Sequence, residues 1–287
     1  MTILITGANG QLGTEMRNLS AQHPNHTYFF TDVAELDITN REAVQRFVAD
    51  NVVDLIVNCA AYTNVDKAEE DEPTARLINV DAVENLAFAS QTTNDQRQTT
   101  KIIHISTDYV FSGDEHLPCR ESDPVDPRTA YGRTKLEGEQ RLLAISPDAV
   151  IIRTAWLYSP YGNNFVKTML RLGKERDELR VVYDQIGTPT YAADLAAAIY
   201  AVIEAPEWHP GIYHFTNEGV CSWFDFTVEI LKQSGLNCRV NPILSSEYQY
   251  KTPRPHYSVL DKAKIKNTFG IDIPYWTDSL AKCLKRL

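Results

Sequence analysis

No apolar run in this 287-residue chain approaches the roughly 20 residues a membrane-spanning helix needs, so no membrane partner is expected. Cysteine is sparse. Cys59, Cys119, Cys221, Cys238 and Cys283 are odd in number and scattered, with no Cys-x-x-Cys pair. That excludes a disulfide framework and a zinc site and fits reduced thiols. The seven histidines have no His-Glu-x-x-His or similar spacing, so no metal is expected. Positive charge is also short, with 28 Lys and Arg against 38 Asp and Glu and a formal net charge of -10. Nucleic acids and anionic membranes attract basic surfaces, so neither is an expected partner. The plainer meaning of the charge is solubility, and an anionic substrate would still need local positive charge. The strand-like Thr2-Ile3-Leu4-Ile5-Thr6 stands where a signal peptide would have basic and apolar regions, so the expected location is cytoplasmic.

What is present is an ordinary globular composition, 43% hydrophobic and 23% charged, in a chain long enough for one large domain with a smaller lobe. After the first strand comes Gly7-Ala8-Asn9-Gly10-Gln11-Leu12-Gly13, then a helical pattern from Thr14 to Ala21. Strand, glycine turn and helix follow in the order of a dinucleotide-binding fingerprint, here spaced Gly-x-x-Gly-x-x-Gly. Such glycines allow a tight turn and close backbone approach, and the helix N-terminus attracts a pyrophosphate. A plain αβ turn is the alternative. Thr27-Tyr28-Phe29-Phe30 reads as a second strand ending at Asp32, about 20 residues past the glycines, where a carboxylate binds an adenosine ribose hydroxyl. No Arg or Lys follows before Arg41, which leans toward NADH over NADPH. Asp32 would otherwise be a turn residue or helix cap. Asp37 belongs near the adenine, or else marks the start of the helix from about Asn40 to Asp50.

Val52 to Val57 is apolar enough for a strand buried on both faces. It leads into Ala60-Ala61-Tyr62-Thr63, whose small residues let a cofactor lie close or simply suit tight packing. A helix is expected over about 73–91, with Asn79 placed to tie it to a neighbouring strand, then a polar loop over 96–100. Lys101 to Ile105 is a fourth strand that delivers Ser106-Thr107 at its C-terminal end, where open parallel sheets bind ligands. Val150 to Thr154 is a fifth. Strands alternating with helices give a Rossmann-type, doubly wound parallel α/β sheet. The reading assigns residues 1–155 to a dinucleotide-binding domain, with about 181–205 returning to it. There Val181-Val182-Tyr183 and the segment Ala192 to Glu204 extend the main sheet. Residues 156–180 and 206–287 form a smaller mixed α/β substrate-binding lobe.

The chemistry-bearing stretch is Tyr131-Gly132-Arg133-Thr134-Lys135. Residues four apart share a helix face. An ammonium beside a phenol favours phenolate and lowers the tyrosine pKa from about 10 toward neutrality. A phenol so placed suits carbonyl reduction, in which hydride reaches carbon and a proton reaches oxygen. The same spacing also occurs in ordinary amphipathic helices.

Gly7-x-x-Gly10-x-x-Gly13, Ser106-Thr107-Asp108-Tyr109-Val110-Phe111 and Tyr131-x-x-x-Lys135 together resemble the extended short-chain dehydrogenases/reductases. Gly162 to Leu170, Asp184 to Thr190, and Arg254-Pro255 before Ser258-Val259-Leu260-Asp261 narrow the resemblance to the dTDP-4-dehydrorhamnose reductase family, over essentially the whole chain. That resemblance implies reduction of a nucleotide sugar's 4-keto group with NADH or NADPH. It implies Tyr131 as proton donor, Lys135 on the nicotinamide ribose and Thr107 on the reacting oxygen. It further implies Asp108 and Trp156 on the sugar nucleotide. Gly10, Gln11, Leu12, Asp32, Asp37, Ile38, Ala61, Tyr62, Thr63 and Ile105 would line the dinucleotide, with Gly7 and Gly13 shaping the turn.

Dehydratases of the superfamily carry Asp-Glu after the threonine. Here Asp108 is followed by Tyr109, so elimination is not expected. Arg254 is read as a partner for the substrate diphosphate or as a surface arginine beside prolines. Some relatives bind a metal between subunits, but Glu15 alone suggests such a site here, and one carboxylate is not a site. A homodimer is compatible with the resemblance. Two other readings stay open: a non-catalytic dinucleotide-binding subunit like the regulatory subunit of methionine adenosyltransferase, and a sugar-nucleotide 4-epimerase.

Overall fold

The computed structural model describes residues 1–91 and 99–287. Its centre is a six-stranded sheet of β1 (Thr2–Thr6), β2 (Thr27–Thr31), β3 (Leu55–Asn58), β4 (Lys101–Thr107), β5 (Val150–Thr154) and β6 (Gly211–His214). The spatial order is β2-β1-β3-β4-β5-β6, and every neighbouring pair is parallel. The winding reverses between β1 and β3. In such sheets the crevice for a ligand lies at that reversal, beyond the strands' carboxyl ends.

Strand side chains alternate between two apolar cores, as the period of two demands. Ile3, Ile5, Leu55, Val57, Ile103 and Ile152 face helices α1 (Gln11–Ser20) and α5 (Ala192–Ile203). Leu4, Ile56, Ile102 and Ile151 face α2 (Arg41–Asp50), α3 (Ala82–Ser90) and α4 (Ala130–Ile145). Burial on both faces explains why β3 and β5 read as unbroken apolar runs.

Two expectations change at the third layer of detail. Val181 and Val182 belong to the strand Glu178–Val182, which pairs in parallel with Arg239–Ile243 in a separate two-stranded sheet and does not extend the main one. The strand that does extend it is β6, from the stretch expected to lie wholly in the lobe, whereas α5 packs on the main sheet as expected. The free edge of β5 decides this: β6 completes it, and Ile265 from the helix Ala263–Phe269 joins the same core. The lobe has its own core, where Met169, Leu179, Phe226, Ile230 and Trp276 meet.

The expected long helix over 73–91 is also broken. Val65–Glu70 and Glu72–Arg76 are short helices, and a π-helical turn at Leu77–Asp81 precedes α3. Such a widened turn commonly sits at a functional site. Here it aims Asn79, which accepts the Tyr62 N–H at 2.9 Å and donates to the Tyr62 carbonyl and the Thr134 hydroxyl, both at 3.1 Å. Asn79 therefore ties the loop after β3 to α4, not to a strand. Of the polar loop expected over 96–100, residues 96–98 lie outside the described residues.

Candidate active site

The glycine turn is built for close approach. Gly7 has φ +63°, and a Cβ there would lie 2.7 Å from the backbone of Ala60 in the loop after β3. A Cβ on Gly13 would meet the Gly7 carbonyl at 2.4 Å. The turns after β1 and β3 thus touch at the winding reversal, and α1 begins hard against them. Gly10, at the helix N-cap, supplies no side-chain cap bond. The first amides of α1 keep their donors for an anion, which is what a pyrophosphate needs.

Two adjoining cavities open from that turn. One of about 310 Å³ is lined by Gly7, Gly10, Asp32, Asp37, Ile38 and Ala61 among others. The Asp32 carboxylate there accepts the Asn9 N–H at 3.1 Å and the Val33 N–H at 2.9 Å. The other, about 500 Å³, is lined by Gly10, Gln11, Leu12, Ala61, Thr63 and Ile105 on one side. Thr107, Asp108, Tyr131, Lys135 and Trp156 line its other side. The two cavities adjoin across the reversal, with Asp32 in one and Tyr131 in the other. Gly13 lies beneath this surface as a packing position. Tyr62 does not line either cavity and packs with Val65, Ala68, Tyr109 and Tyr131 in a small apolar cluster.

Outside the lining of the Asp32 cavity stands a cation that reading along β2 did not find. Arg17 of α1 lies over the Phe30 ring at 5.1 Å, and its Nη2 reaches the Asn9 side chain at 3.5 Å, beside Asp32. The helix, not the strand, brings it there, so the lean toward NADH drawn from the absence of a basic residue after Asp32 loses its premise.

The helix α4 starts at Thr129, whose hydroxyl accepts the Gly132 N–H at 3.0 Å. A Cβ on Gly132 would meet the Tyr109 carbonyl at 2.2 Å, so the helix can lie against the turn that follows β4. Tyr131 is thereby brought against Thr107. The Thr107 hydroxyl donates to Asp108 Oδ1 at 2.9 Å and accepts the Tyr109 N–H at 3.2 Å, close enough to the Tyr131 phenol to pull its pKa down.

Burial pushes the Tyr131 phenol up to about 12, with Thr107 pulling it down and Asp108 pushing it further up. This reverses the expected lowering by Lys135. The reason is direction: Lys135 Nζ donates to the Ile105 carbonyl at 2.7 Å and lies 3.3 Å from His104 Nε2, turned toward β4. Burial lowers Lys135 itself to about 8, against an opposing pull from Glu139. Asp108 is raised by burial to about 6, and its Oδ2 has no hydrogen-bond partner among the described residues.

A third cavity, about 760 Å³, shares Asp108, Tyr109 and Trp156 with the second and runs into the lobe. Trp156 stands at the junction with φ +49°, a costly conformation for a bulky residue. Its indole stacks on Trp223 with ring centroids 3.5 Å apart. The lobe cavity carries Arg176, Arg180 and Arg254 alongside Asp108, Glu178 and Glu247, with Arg180 paired to Glu247, so its cations are matched in number by carboxylates. Arg254 donates to Asp66 at 2.9 Å while its Nη1 has no partner among the described residues. It therefore stands in the lobe cavity, away from Tyr131's own cavity. Phe165 and Gln185 of this cavity lie in stretches that carried the resemblance but were given no role there, and Tyr250 carried no signal in the sequence.

Glu15 is buried and ion-paired with Arg286 at 2.8 Å. No group of three or more His, Cys, Asp or Glu that could hold a metal occurs among the described residues. All five cysteines are free, and no described helix is long and apolar enough to cross a membrane.

The family model described as RmlD substrate binding domain matches residues 1–287. A dTDP-4-dehydrorhamnose reductase of Aggregatibacter actinomycetemcomitans is 41% identical, the match covering 97% of this chain and 96% of that protein. The spore coat polysaccharide biosynthesis protein SpsK of Bacillus subtilis is also 41% identical, over 99% of this chain and 96% of that one. A solved dTDP-4-dehydrorhamnose reductase of Clostridium acetobutylicum superposes with TM-score 0.93 at 44% identity, covering 100% of this chain and 99% of the other. The Bacillus anthracis reductase, solved in complex with NADP, gives TM-score 0.92 at 39% identity, with coverage of 100% and 99%. With a glycine turn, a Tyr–Lys helix and a lobe cavity in one continuous crevice, and relatives matching end to end, the chain belongs to the RmlD family, that of the dTDP-4-dehydrorhamnose reductases.

Proposed function

We propose that this protein reduces the 4-keto group of dTDP-4-dehydro-L-rhamnose to give dTDP-L-rhamnose, using NADH or NADPH. The observation that carries the reading is the convergence of Tyr131, Thr107 and Asp108 on the wall where the dinucleotide cavity meets the arginine-bearing lobe cavity. Full-length relatives named for this reaction support it.

The dinucleotide, when bound, supplies the hydride. The remaining work falls to the chain. Tyr131 holds its proton at neutral pH, because burial disfavours phenolate, and so is an acid ready to protonate the ketone oxygen. The Thr107 hydroxyl beside it has one proton to give, held by Asp108 Oδ1 in this structure, and turns it to the ketone oxygen when substrate is in place. Lys135, anchored on the Ile105 carbonyl, holds the ribose next to Tyr131. Asp108 and Trp156 orient the sugar at the cavity junction. Arg254 meets the diphosphate, which requires exchanging its bond to Asp66 for phosphate oxygens. Gly7, Gly10, Gln11, Leu12, Asp32, Asp37, Ile38, Ala61, Thr63 and Ile105 form the dinucleotide crevice. Residues 1–155 together with α5 and β6 work as the cofactor-binding unit, and the remainder as the substrate lobe. A cytoplasmic location belongs to the same reading, supported by five free thiols.

The test is loss of NADH or NADPH absorbance with purified protein and dTDP-4-dehydro-L-rhamnose, with dTDP-rhamnose identified as product. Tyr131→Phe should lower kcat by about 10²–10⁴-fold with dinucleotide binding retained. Near-wild-type turnover in that variant removes Tyr131 from the mechanism. Dinucleotide binding without oxidation in the wild type would point instead to a non-catalytic binding subunit.

A further inference from the structure

A buried polar chain runs through the sheet behind Lys135. Asn58 Oδ1 accepts the Ala60 N–H at 3.1 Å and the Thr6 hydroxyl at 2.7 Å. A backbone N–H can only donate, so this oxygen is fixed and the amide nitrogen must face the other way. It lies 3.0 Å from His104 Nδ1. His104 is fully buried, and its Nε2 is 3.3 Å from Lys135 Nζ.

Counting donors settles the ring's state. Asn58 Nδ2 donates, so Nδ1 must accept and carry no proton. A neutral imidazole then carries its single N–H on Nε2, aimed at Lys135. An imidazolium would set N–H against N–H at Asn58. An ammonium at Lys135 would do the same at Nε2, whereas an amine offers Nε2–H a lone pair and still donates to Ile105.

We infer that His104, locked by Asn58 as its Nε2–H tautomer, is a positioning residue that sets the place and protonation of Lys135. Burial and Lys135 hold His104 well below the usual histidine range, which agrees with a neutral ring. Glu139, one turn along α4, is the charged group acting on Lys135, and it favours the ammonium while itself bound to Arg153. The donor from β4 therefore opposes the carboxylate from α4, and the balance tunes whether Lys135 accepts or only donates. The inference rests on the proposed place of Lys135 in the site, but its first readout needs no turnover, so the two readings fail separately.

Long-range ¹H–¹⁵N correlation on histidine-labelled protein reads the tautomer directly, with the His104 signal assigned by its loss in His104→Gln. The expected result is a protonated Nε2 and a bare Nδ1 above about pH 8, where Lys135 is largely the amine that accepts the Nε2–H. A protonated Nδ1 overturns the proposal, and this holds for the wild type however the variant folds. Asn58→Asp keeps the acceptor for Ala60 and Thr6 but turns an oxygen toward Nδ1. It should move the proton to Nδ1 and raise the pH of the Lys135 limb in kcat/KM by about one. A purely structural His104 would change melting temperature alone; a folded Asn58→Asp with an unmoved pH profile would refute the tuning.

Discussion

The helix that carries Tyr131 and Lys135 is pinned to the sheet by one buried ion pair, and removing half of it should be felt in stability and in pH dependence together. Arg153 of β5 donates to Glu139 of α4 through Nε at 2.9 Å and Nη2 at 2.6 Å, with side chains 3% and 2% exposed. Arg153 Nη1 already lacks a partner among the described residues. Glu139→Gln keeps the shape but leaves a guanidinium buried without its counter-charge. Breaking a buried pair from one side costs about 3–5 kcal/mol, a large share of the roughly 5–15 kcal/mol that holds a protein folded. Replacing both partners with apolar residues, as in Glu139→Leu with Arg153→Met, should recover most of that loss, because no charge is left stranded.

Glu139 is also the group that counters burial on Lys135, so the variant should drop the Lys135 pKa below its present value of about 8. A lysine depressed from 10.5 to about 8 on folding binds fewer protons in the folded state across that interval, so stability rises as pH climbs through it. In Glu139→Gln the rise should begin at lower pH. Urea unfolding at intervals from pH 6 to 10 measures both effects. A loss under about 1 kcal/mol at pH 7, or a rise that starts where the wild type's does, would refute this account of the pair.

Three further outcomes follow from the site. Asp108 is raised from 3.8 to about 6 on folding, so its folded form holds the proton more tightly and stability falls as pH rises across that window. Asp108→Asn should lack the fall, its melting temperature gaining on the wild type between pH 4 and 7; parallel curves would contradict the burial argument. A Cβ in Gly187→Ala would lie 2.6 Å from the Trp156 ring, displacing it from Trp223, and overpacking of roughly 1–3 kcal/mol should cut kcat/KM for the sugar nucleotide about tenfold. Its dinucleotide dissociation constant should not change. Arg17→Ala should weaken NADP⁺ binding about tenfold in titration calorimetry, since a charge-assisted bond is lost, and leave NAD⁺ within about twofold. Equal weakening of both would place Arg17 in general packing.

Elements whose cause is local were legible along the chain. Periodicity and the glycine turn placed β1 to β5, and the spacing of Tyr131 and Lys135 put them on one helix face before Thr107 could be seen beside them. These rest on backbone sterics and side-chain period, which neighbours along the chain control. Which strands pair is different, because an apolar run does not say which sheet edge is free. Glu178–Val182 went to Arg239–Ile243, while four residues, Gly211–His214, took the edge of β5. Arg17 and His104 were silent for the same reason. One is a helix residue swung over Phe30, the other an isolated histidine in an apolar strand, and only packing sets them against Asn9 and Lys135. Even the expected effect of Lys135 on Tyr131 depended on tertiary structure. Spacing fixes that the two side chains share a face, but burial and the Ile105 carbonyl decide where the ammonium points and which pKa moves.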